Sequence, residues 1–225
     1  TLTSIFEYMM KMNLKEDCDL SEAFLYYNAR NMDDTGDVDV NTDKGSRFHP
    51  SIESLSKYGI ALEKFWPYNE DVYSTQPSEQ AYQDAENRKL ITALNVEHKV
   101  HDIKSALSDG YPVAASFVLY PSFGKNGAYI QLPTDEEIQE HESKDQKENN
   151  SHAMVIVGFS DILQMFLVRN SWGVDWGEGG YCYIPYENIE HNKCFNFACA
   201  ITEVASLRTD YQLQEVPELK INDSD

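Results

Sequence analysis

The chain has 225 residues, of which 41% are hydrophobic and 12% aromatic, so it can bury a sizeable core in one domain or in two small lobes. Its formal net charge of -20 argues against a nucleic-acid partner and against binding to an anionic membrane, because both need clustered Lys and Arg side chains. No apolar run reaches the roughly 18 residues that a membrane span needs, and no cofactor is indicated. The composition favours a globular, soluble protein and leaves its compartment unknown.

Hydrophobic periodicity predicts helices in the first part of the chain and mainly strands after it. Predicted helices cover residues 1–13, 20–29, 50–58, 78–88 and 100–109. Predicted strands cover residues 89–99, 112–119, 153–159, 165–169 and 180–184. The acidic segments 31–48 and 135–150 are predicted to be loops. Helices followed by strands favour an α+β fold with a helical lobe (1–88), a β-rich lobe (89–205) and an acidic tail (206–225).

The cysteines give no sign of a metal site or of a disulfide scaffold. They are Cys18, Cys182, Cys194 and Cys199. They form no CxxC pair and lack a His/Cys cluster with zinc-ligand spacing, so no metal is predicted. Cys194 and Cys199 could pair or remain free. Cys18 lies between Asp17 and Asp19, whose charges would raise the pKa of its thiol, which makes it a poor candidate for a nucleophile.

Residues 151–186 carry the most specific pattern in the sequence. His152 opens an apolar strand, Asn170 closes another, and Trp172 follows two residues later. An imidazole can activate a nearby thiol and later protonate the leaving amine. An Asn carbonyl that accepts the imidazole N–H fixes the ring without adding charge, and a neighbouring Trp would keep water from that bond. A lone His here would more often be structural and a lone Asn a turn residue, but the three together predict the non-nucleophilic part of a catalytic site.

These segments resemble the papain family of cysteine proteases. His152-Ala153 before an apolar strand looks like that family's catalytic-His segment. Asn170-Ser171-Trp172-Gly173, with Trp176-Gly177 after it, looks like its Asn-Ser-Trp-Gly segment, in family order and spacing. The resemblance covers nearly the whole chain and is closer to bacterial or viral members, because the family's paired disulfide cysteines are missing. It implies a helical lobe and a β-barrel-like lobe with the active-site cleft between them.

The resemblance also implies roles for individual residues. His152 would be the catalytic base and acid, Asn170 its orienting partner and Trp172 their shield. The substrate-binding residues that it implies are Gly45, Ser46, Ser151, Ala153 and Trp176. An ordinary loop remains equally open for Gly45 and Ser46, and core packing for Trp176. The implied partners are a peptide or protein substrate and a propeptide or inhibitor.

One departure concerns the nucleophile. The family places its Cys at the start of a central helix, with an oxyanion-donating Gln shortly before it, and both positions fall upstream of Thr1. We expect the sequence to be part of a longer peptidase, because a domain rarely begins inside its own core helix. A pseudoprotease that binds peptides without cleaving them is the alternative. An acyltransferase, or an exopeptidase occluded by residues 135–150, is a third hypothesis. This sequence by itself is not expected to hydrolyse peptides.

Overall fold

A computed structural model describes residues 1–35, 38–125, 127–143, 151–191 and 193–206. The helices are α1 (Leu2–Met9), α2 (Glu22–Met32), α3 (Phe48–Lys57), α4 (Glu79–Ala85), α5 (Val100–Ser108), α6 (Asp135–Ser143) and α7 (Tyr186–Glu190). The strands are β1 (Arg88–Asn95), β2 (Val113–Val118), β3 (Ser151–Ser160), β4 (Met165–Arg169), β5 (Tyr181–Pro185) and β6 (Phe195–Ser206). The predicted acidic tail, 206–225, lies outside the described residues apart from its first position.

The N-terminal helices form where hydrophobic periodicity predicts them. The stripe of α1 is buried at Leu2, Ile5, Phe6 and Met9. Ser21 caps α2 by accepting a hydrogen bond from the Phe24 N–H at 3.0 Å. Gly59 follows the end of α3 with φ of 77°, and a Cβ there would lie 2.1 Å from the Ala85 carbonyl oxygen. Only glycine fits such a position, so the predicted helix end is confirmed.

The strands form one six-stranded sheet in the order β1-β6-β2-β3-β4-β5. In the antiparallel ladder between β2 and β3, Phe117 lies opposite His152. In the ladder between β3 and β4, Val155 lies opposite Arg169, and the register shifts between Ile156 and Gly158. The ladders therefore fix the start of β3 and the end of β4 at the same edge of the sheet.

The chain divides into two compact units, which we call the β-rich unit and the helical unit. The β-rich unit comprises the described residues of Thr1–Ile5 and Leu94–Ala200, and the helical unit comprises those of Phe6–Ala93 and the few that follow Ala200. In the β-rich unit, the core is built on side chains from β2, β3, β4 and β5, including Phe117, Met154, Ile156, Phe166, Val168 and Ile184. In the helical unit, one core cluster is formed by Phe24, Ala61, Ala81 and Ala85.

The prediction of a loop over residues 135–150 is wrong for 135–143, which form α6. Asp135, Glu136 and Glu137 lie in the first turn, where negative charge is stabilised by the helix dipole. Ile138 packs against the buried cluster of Val118, Tyr120 and Cys194. Residues 144–150 lie outside the described part of the chain. The helix α7 and the strand β6 were not predicted, and no helix in the described residues is long and apolar enough to cross a bilayer.

Candidate active site

His152 and Asn170 are joined by a hydrogen bond that defines the chemistry of the site. The distance from His152 Nε2 to Asn170 Oδ1 is 2.7 Å. The same oxygen accepts the Ser171 backbone N–H at 2.8 Å. An oxygen that accepts from both sides requires the imidazole to carry its hydrogen on Nε2, so Nδ1 is left as the basic nitrogen. The ring is thereby held in the tautomer that can take a proton from a nucleophile.

The local fold explains why these two side chains meet. His152 is the second residue of β3, on the same side of the strand as the buried Met154 and Ile156. Asn170 directly follows β4, and its backbone N–H donates to the Gly180 carbonyl at 2.9 Å. In two adjacent antiparallel strands, the start of one strand lies next to the end of the other. His152 at the start of β3 and Asn170 at the end of β4 are therefore brought together by the pairing of these strands.

Burial tunes the basicity of the imidazole. Partial burial lowers the pKa of His152 below its ordinary value, while the hydrogen bond to Asn170 acts in the opposite direction. Asn170 itself is only 8% exposed, and its Nδ2 has no hydrogen-bond partner among the described residues. At neutral pH the ring is therefore uncharged and able to accept a proton.

Three aromatic rings pack on one another beside His152, where one of them, Trp172, contacts the imidazole, and we call Phe123, Trp172 and Trp176 the aromatic bracket. The Trp172 ring stacks on the His152 imidazole with centroids 4.8 Å apart and an angle of 28°. Phe123 meets Trp172 edge-on at 6.1 Å and stacks on Trp176 at 6.1 Å. Trp172 meets Trp176 edge-on at 5.1 Å. The bracket holds Trp172 over the imidazole even though Trp172 is 45% exposed.

The remaining predicted residues of the β-rich unit lie around this pair. Ser151 is exposed and its Oγ accepts a hydrogen bond from Asn196 Nδ2 at 2.9 Å. Ala153 accepts a hydrogen bond at its carbonyl from the Thr1 hydroxyl at 2.9 Å. Trp176 is partly buried and packs against the core as well as within the bracket, which agrees with core packing, and its substrate-binding role stays a prediction.

Comparison with known proteins identifies the family. Residues 3–207 match the family model described as papain family cysteine protease. The chain belongs to the papain family of cysteine proteases. This confirms the resemblance drawn from the His152 and Asn170 segments.

Individual relatives agree with this assignment. An uncharacterized peptidase C1-like protein of Acanthamoeba polyphaga mimivirus is 28% identical over 82% of this chain and 59% of its own length. Xylellain, a cysteine protease from Xylella fastidiosa, is 28% identical with a TM-score of 0.78, covering 92% of this chain and 78% of that one. Procathepsin L 3 of the Tenebrio molitor larval midgut is 19% identical with a TM-score of 0.63, covering 88% and 60%. The viral and bacterial matches fit the predicted resemblance to bacterial or viral members of the family. The fold is the α+β papain-like two-lobe fold. The chain spans about half to three-fifths of the two curated relatives that head the comparison.

The two substrate-binding residues predicted in the papain-like helical unit lie on one loop. Gly45 has φ of 83°, a conformation that favours glycine, and its N–H donates to the Tyr26 hydroxyl at 3.1 Å. The Tyr26 hydroxyl in turn donates to an Asp43 carboxylate oxygen. Ser46 is exposed beside it. The structure thus gives Gly45 a defined, hydrogen-bonded position, and the substrate-binding role of Gly45 and Ser46 stays a prediction.

Three of the four cysteines, Cys182, Cys194 and Cys199, are buried, and Cys18 is partly buried. All four are free thiols, so the disulfide that Cys194 and Cys199 could have formed is not made. Burial raises the pKa of Cys18 to about 11, with a smaller contribution from Glu7. The sequence argument gave the right direction for the pKa of Cys18 but attributed it to the charges of Asp17 and Asp19, whereas burial is the largest cause. Burial also raises the pKa of Cys182 to about 12. Such thiols stay protonated at neutral pH and are weak nucleophiles.

A metal site is also not formed by the residues that the structure describes. Within them, no group of three or more His, Cys, Asp or Glu side chains could hold a metal ion.

Sequence reasoning missed two residues that shape the site. Phe123 completes the aromatic bracket, and its signal was an aromatic side chain at the end of a strand region that resembles the family. Asn196 holds Ser151, the residue before His152. Its signal was absent, because the strand β6 that carries it was not predicted and its partner lies 45 residues away in sequence.

Proposed function

We propose that the intact protein is a cysteine peptidase that hydrolyses peptide bonds through a thiolate and an acyl-enzyme. The observation that carries the proposal is the 2.7 Å hydrogen bond from His152 Nε2 to Asn170 Oδ1, which leaves Nδ1 basic. Membership of a family of cysteine proteases supports it. His152 is then the base and acid, Asn170 orients it, and Trp172 keeps water from their bond.

The nucleophile is proposed to be a cysteine on the N-terminal side of α1. The Thr1 hydroxyl donates to the Ala153 carbonyl at 2.9 Å, so the residue preceding α1 lies next to the residue that follows His152. A thiol at the start of this helix would therefore lie close to the His152 imidazole, whose Nδ1 could accept its proton. The helix N-terminus would also favour the thiolate over the thiol.

The chemistry follows in two halves. The thiol proton moves to His152 Nδ1, the sulfur bonds to the substrate carbonyl carbon, and the C–N bond breaks as Nδ1–H protonates the leaving amine. Water then gives a proton to Nδ1 and attacks the thioester carbonyl, and the C–S bond breaks to release the acid and restore the thiol. Asn170 stabilises the imidazolium that forms in each half without itself taking the proton.

The substrate is proposed to be an extended peptide. Ser151 is exposed, and the carbonyl and amide groups of residues 151–153 are the backbone groups closest to His152 in sequence. Trp172 offers apolar surface beside the imidazole, and Trp176 packs edge-on against Trp172. A propeptide is the second proposed partner, since one structural relative is a procathepsin. The net charge of -20 gives no support for nucleic acid or an anionic membrane as a partner.

The test uses the full-length protein. Incubation with an epoxide inhibitor of thiol proteases, followed by intact mass, is expected to show one covalent adduct, and a fluorogenic peptide is expected to be cleaved. His152→Ala should lower kcat/KM by roughly 100-fold or more. His101→Ala is the matched control, because His101 lies on α5 with its side chain 90% exposed.

Two results would decide against the peptidase. Absence of any adduct in the native protein, together with peptide binding but no cleavage, would identify a pseudoprotease that acts as a peptide-binding module. Equal activity of His152→Ala and His101→Ala would show that hydrolysis does not use this site.

A further inference from the structure

The acidic helix α6 is attached to the turn before the aromatic bracket through a single carboxylate. Glu137 Oε1 accepts the Ser122 backbone N–H at 2.8 Å, and Glu137 Oε2 accepts the Ser122 hydroxyl at 2.9 Å. Oε2 also accepts the Thr134 N–H at 3.1 Å, while the Glu137 N–H donates to the Thr134 hydroxyl at 3.2 Å. This is a capping box whose carboxylate is extended to a second segment of the chain.

The side chain of Glu137 is ionised, as a carboxylate that accepts all of these hydrogen bonds must be. Burial by itself would raise the pKa of Glu137, but the hydrogen bonds from Thr134 and Ser122 outweigh it and lower the pKa below its ordinary value. The carboxylate is therefore ionised at neutral pH, and both of its oxygens act as acceptors.

Other contacts fix α6 itself within the β-rich unit. Ile138 packs against the cluster that contains Tyr120, and the His141 ring lies 5.3 Å from the Tyr120 ring. Glu142 forms an ion pair with Lys193. Because α6 is held at three further points along its length, Glu137 is a fixed anchor for Ser122.

Ser122 immediately precedes Phe123, one of the three rings of the aromatic bracket. The Phe123 N–H donates to the Tyr120 carbonyl at 2.9 Å, which closes a tight turn around Ser122. Phe123 then contacts both Trp172 and Trp176, and Trp172 stacks on His152. A continuous series of contacts thus runs from the Glu137 carboxylate to the imidazole.

We propose that Glu137 is a positioning residue of the site, which acts through Ser122 and Phe123 to keep Trp172 stacked on the His152 imidazole. The inference concerns the geometry of His152 and rests on the proposed function only for its effect on catalysis. Through the same contacts, α6 helps to hold the active-site residues in position. The sequence predicted a loop in place of this helix.

The test is the NMR titration of His152, which needs no catalytic activity. With ¹³C-labelled histidine, loosening Trp172 should weaken the ring-current shift of the His152 Cε1–H resonance. It should also raise the pKa of His152 by about 0.5, because solvent gains access to the imidazole. Glu137→Gln replaces one acceptor oxygen with an NH2 group that faces donors, and this change is expected to have both effects. Glu136→Gln is the matched control, since it removes the same charge from an exposed position in the same turn of α6.

A second variant separates positioning from folding. Ser122→Ala removes the hydroxyl bond but leaves the backbone N–H in place, so it should shift His152 in the same direction by a smaller amount. The double variant should shift it by less than the sum of the two. In the full-length peptidase, Glu137→Gln should lower kcat about threefold to tenfold with little change in KM. A His152 titration that superimposes for the wild type and a folded Glu137→Gln would overturn the proposal. An inactive full-length protein with the expected NMR shifts would contradict only the peptidase assignment.

Discussion

The loop that carries Gly45 and the strand ends that carry His152 and Asn170 are held in place by different physical means. The strand ends are fixed by backbone ladders, and one side-chain hydrogen bond of 2.7 Å completes the pair. The described residues of the loop belong to no strand of the sheet. The loop is organised by Arg30, which is 1% exposed and donates to the carbonyls of Val40 and Thr42 at 2.9 Å each.

This difference shows how the helical unit holds an irregular segment. The guanidinium of Arg30 also donates to the Tyr73 carbonyl and lies 4.0 Å from the centroid of the Tyr26 ring. Tyr26 accepts the Gly45 N–H, so the same pair of side chains serves the loop at two points. In the loop, the buried Arg30 cation satisfies backbone carbonyls that strand pairing would satisfy in the sheet. The conformation of the loop therefore depends on this one residue.

Arg30→Met should therefore have the largest effect on stability. The substitution keeps the aliphatic stem but leaves the carbonyls of Val40 and Thr42 without their donor. We expect the free energy of unfolding to fall by about 3 to 5 kcal/mol, measured by urea denaturation. Lys44→Met removes a positive charge from an exposed position in the same loop and should cost less than about 0.5 kcal/mol. Equal losses for the two variants would mean that charge, and not the buried hydrogen bonds, orders the loop.

A pair of glycines tests the other side of the comparison, in the segment between β4 and β5. Gly173 and Gly177 both have positive φ, of 87° and 61°. A Cβ at Gly177 would lie 2.3 Å from the Tyr181 carbonyl oxygen, whereas a Cβ at Gly173 would meet nothing within 4 Å. Gly173→Ala should cost about 1 kcal/mol from backbone strain alone, and Gly177→Ala roughly 2 to 3 kcal/mol because a clash is added. Thermal unfolding of the two variants measures the difference.

The reverse order of stability in this pair would show that Gly173, and not Gly177, is where the backbone comes closest to its neighbours. The result bears on the site because Trp172 and Trp176 each precede one of these glycines. A Gly177→Ala variant that folds should also displace Trp176 from the Phe123 ring, with a change in near-UV circular dichroism that Gly173→Ala does not produce.

The residues that could be predicted from sequence are those whose signals are local. Periodicity gave the helices of the first part of the chain, such as α1, because the apolar face of a helix depends on residues only three or four positions apart. The pairing of His152 with Asn170 could be predicted because an apolar strand adjoins each of them, while their catalytic roles stay a prediction. Arg30 and Phe123 were not found, since their roles depend on partners brought close only by the fold. Arg30 contacts Tyr73, which lies 43 residues away in sequence.

The error at α6 has a different cause. Residues 135–143 contain few apolar side chains, and that composition is typical of a solvated loop. The helix forms because Thr134 and Glu137 cap it and because Ile138 packs on Tyr120. Capping and one tertiary contact thus outweigh the low hydrophobicity of the segment.

The last prediction concerns the two neighbours of His152, which shift its pKa in opposite directions. The hydrogen bond to Asn170 raises the pKa of His152, so Asn170→Ala should lower it further. Burial lowers that pKa, so Trp172→Ala, which uncovers the stacked ring, should raise it. NMR titration of the imidazole in the two variants measures both shifts.

The sign also sets the pH dependence of stability. Because the folded pKa of His152 lies below its unfolded value, the unfolded chain binds a proton first on acidification. The stability that the neutral ring contributes is present above the unfolded pKa and is lost as the pH falls through the folded pKa. The pH range over which this stability is lost lies between the unfolded and the folded pKa of His152. Asn170→Ala should extend that range to lower pH, and Trp172→Ala should shorten it. Shifts of the same sign in both variants would show that one of the two residues acts on the imidazole through a general loss of packing.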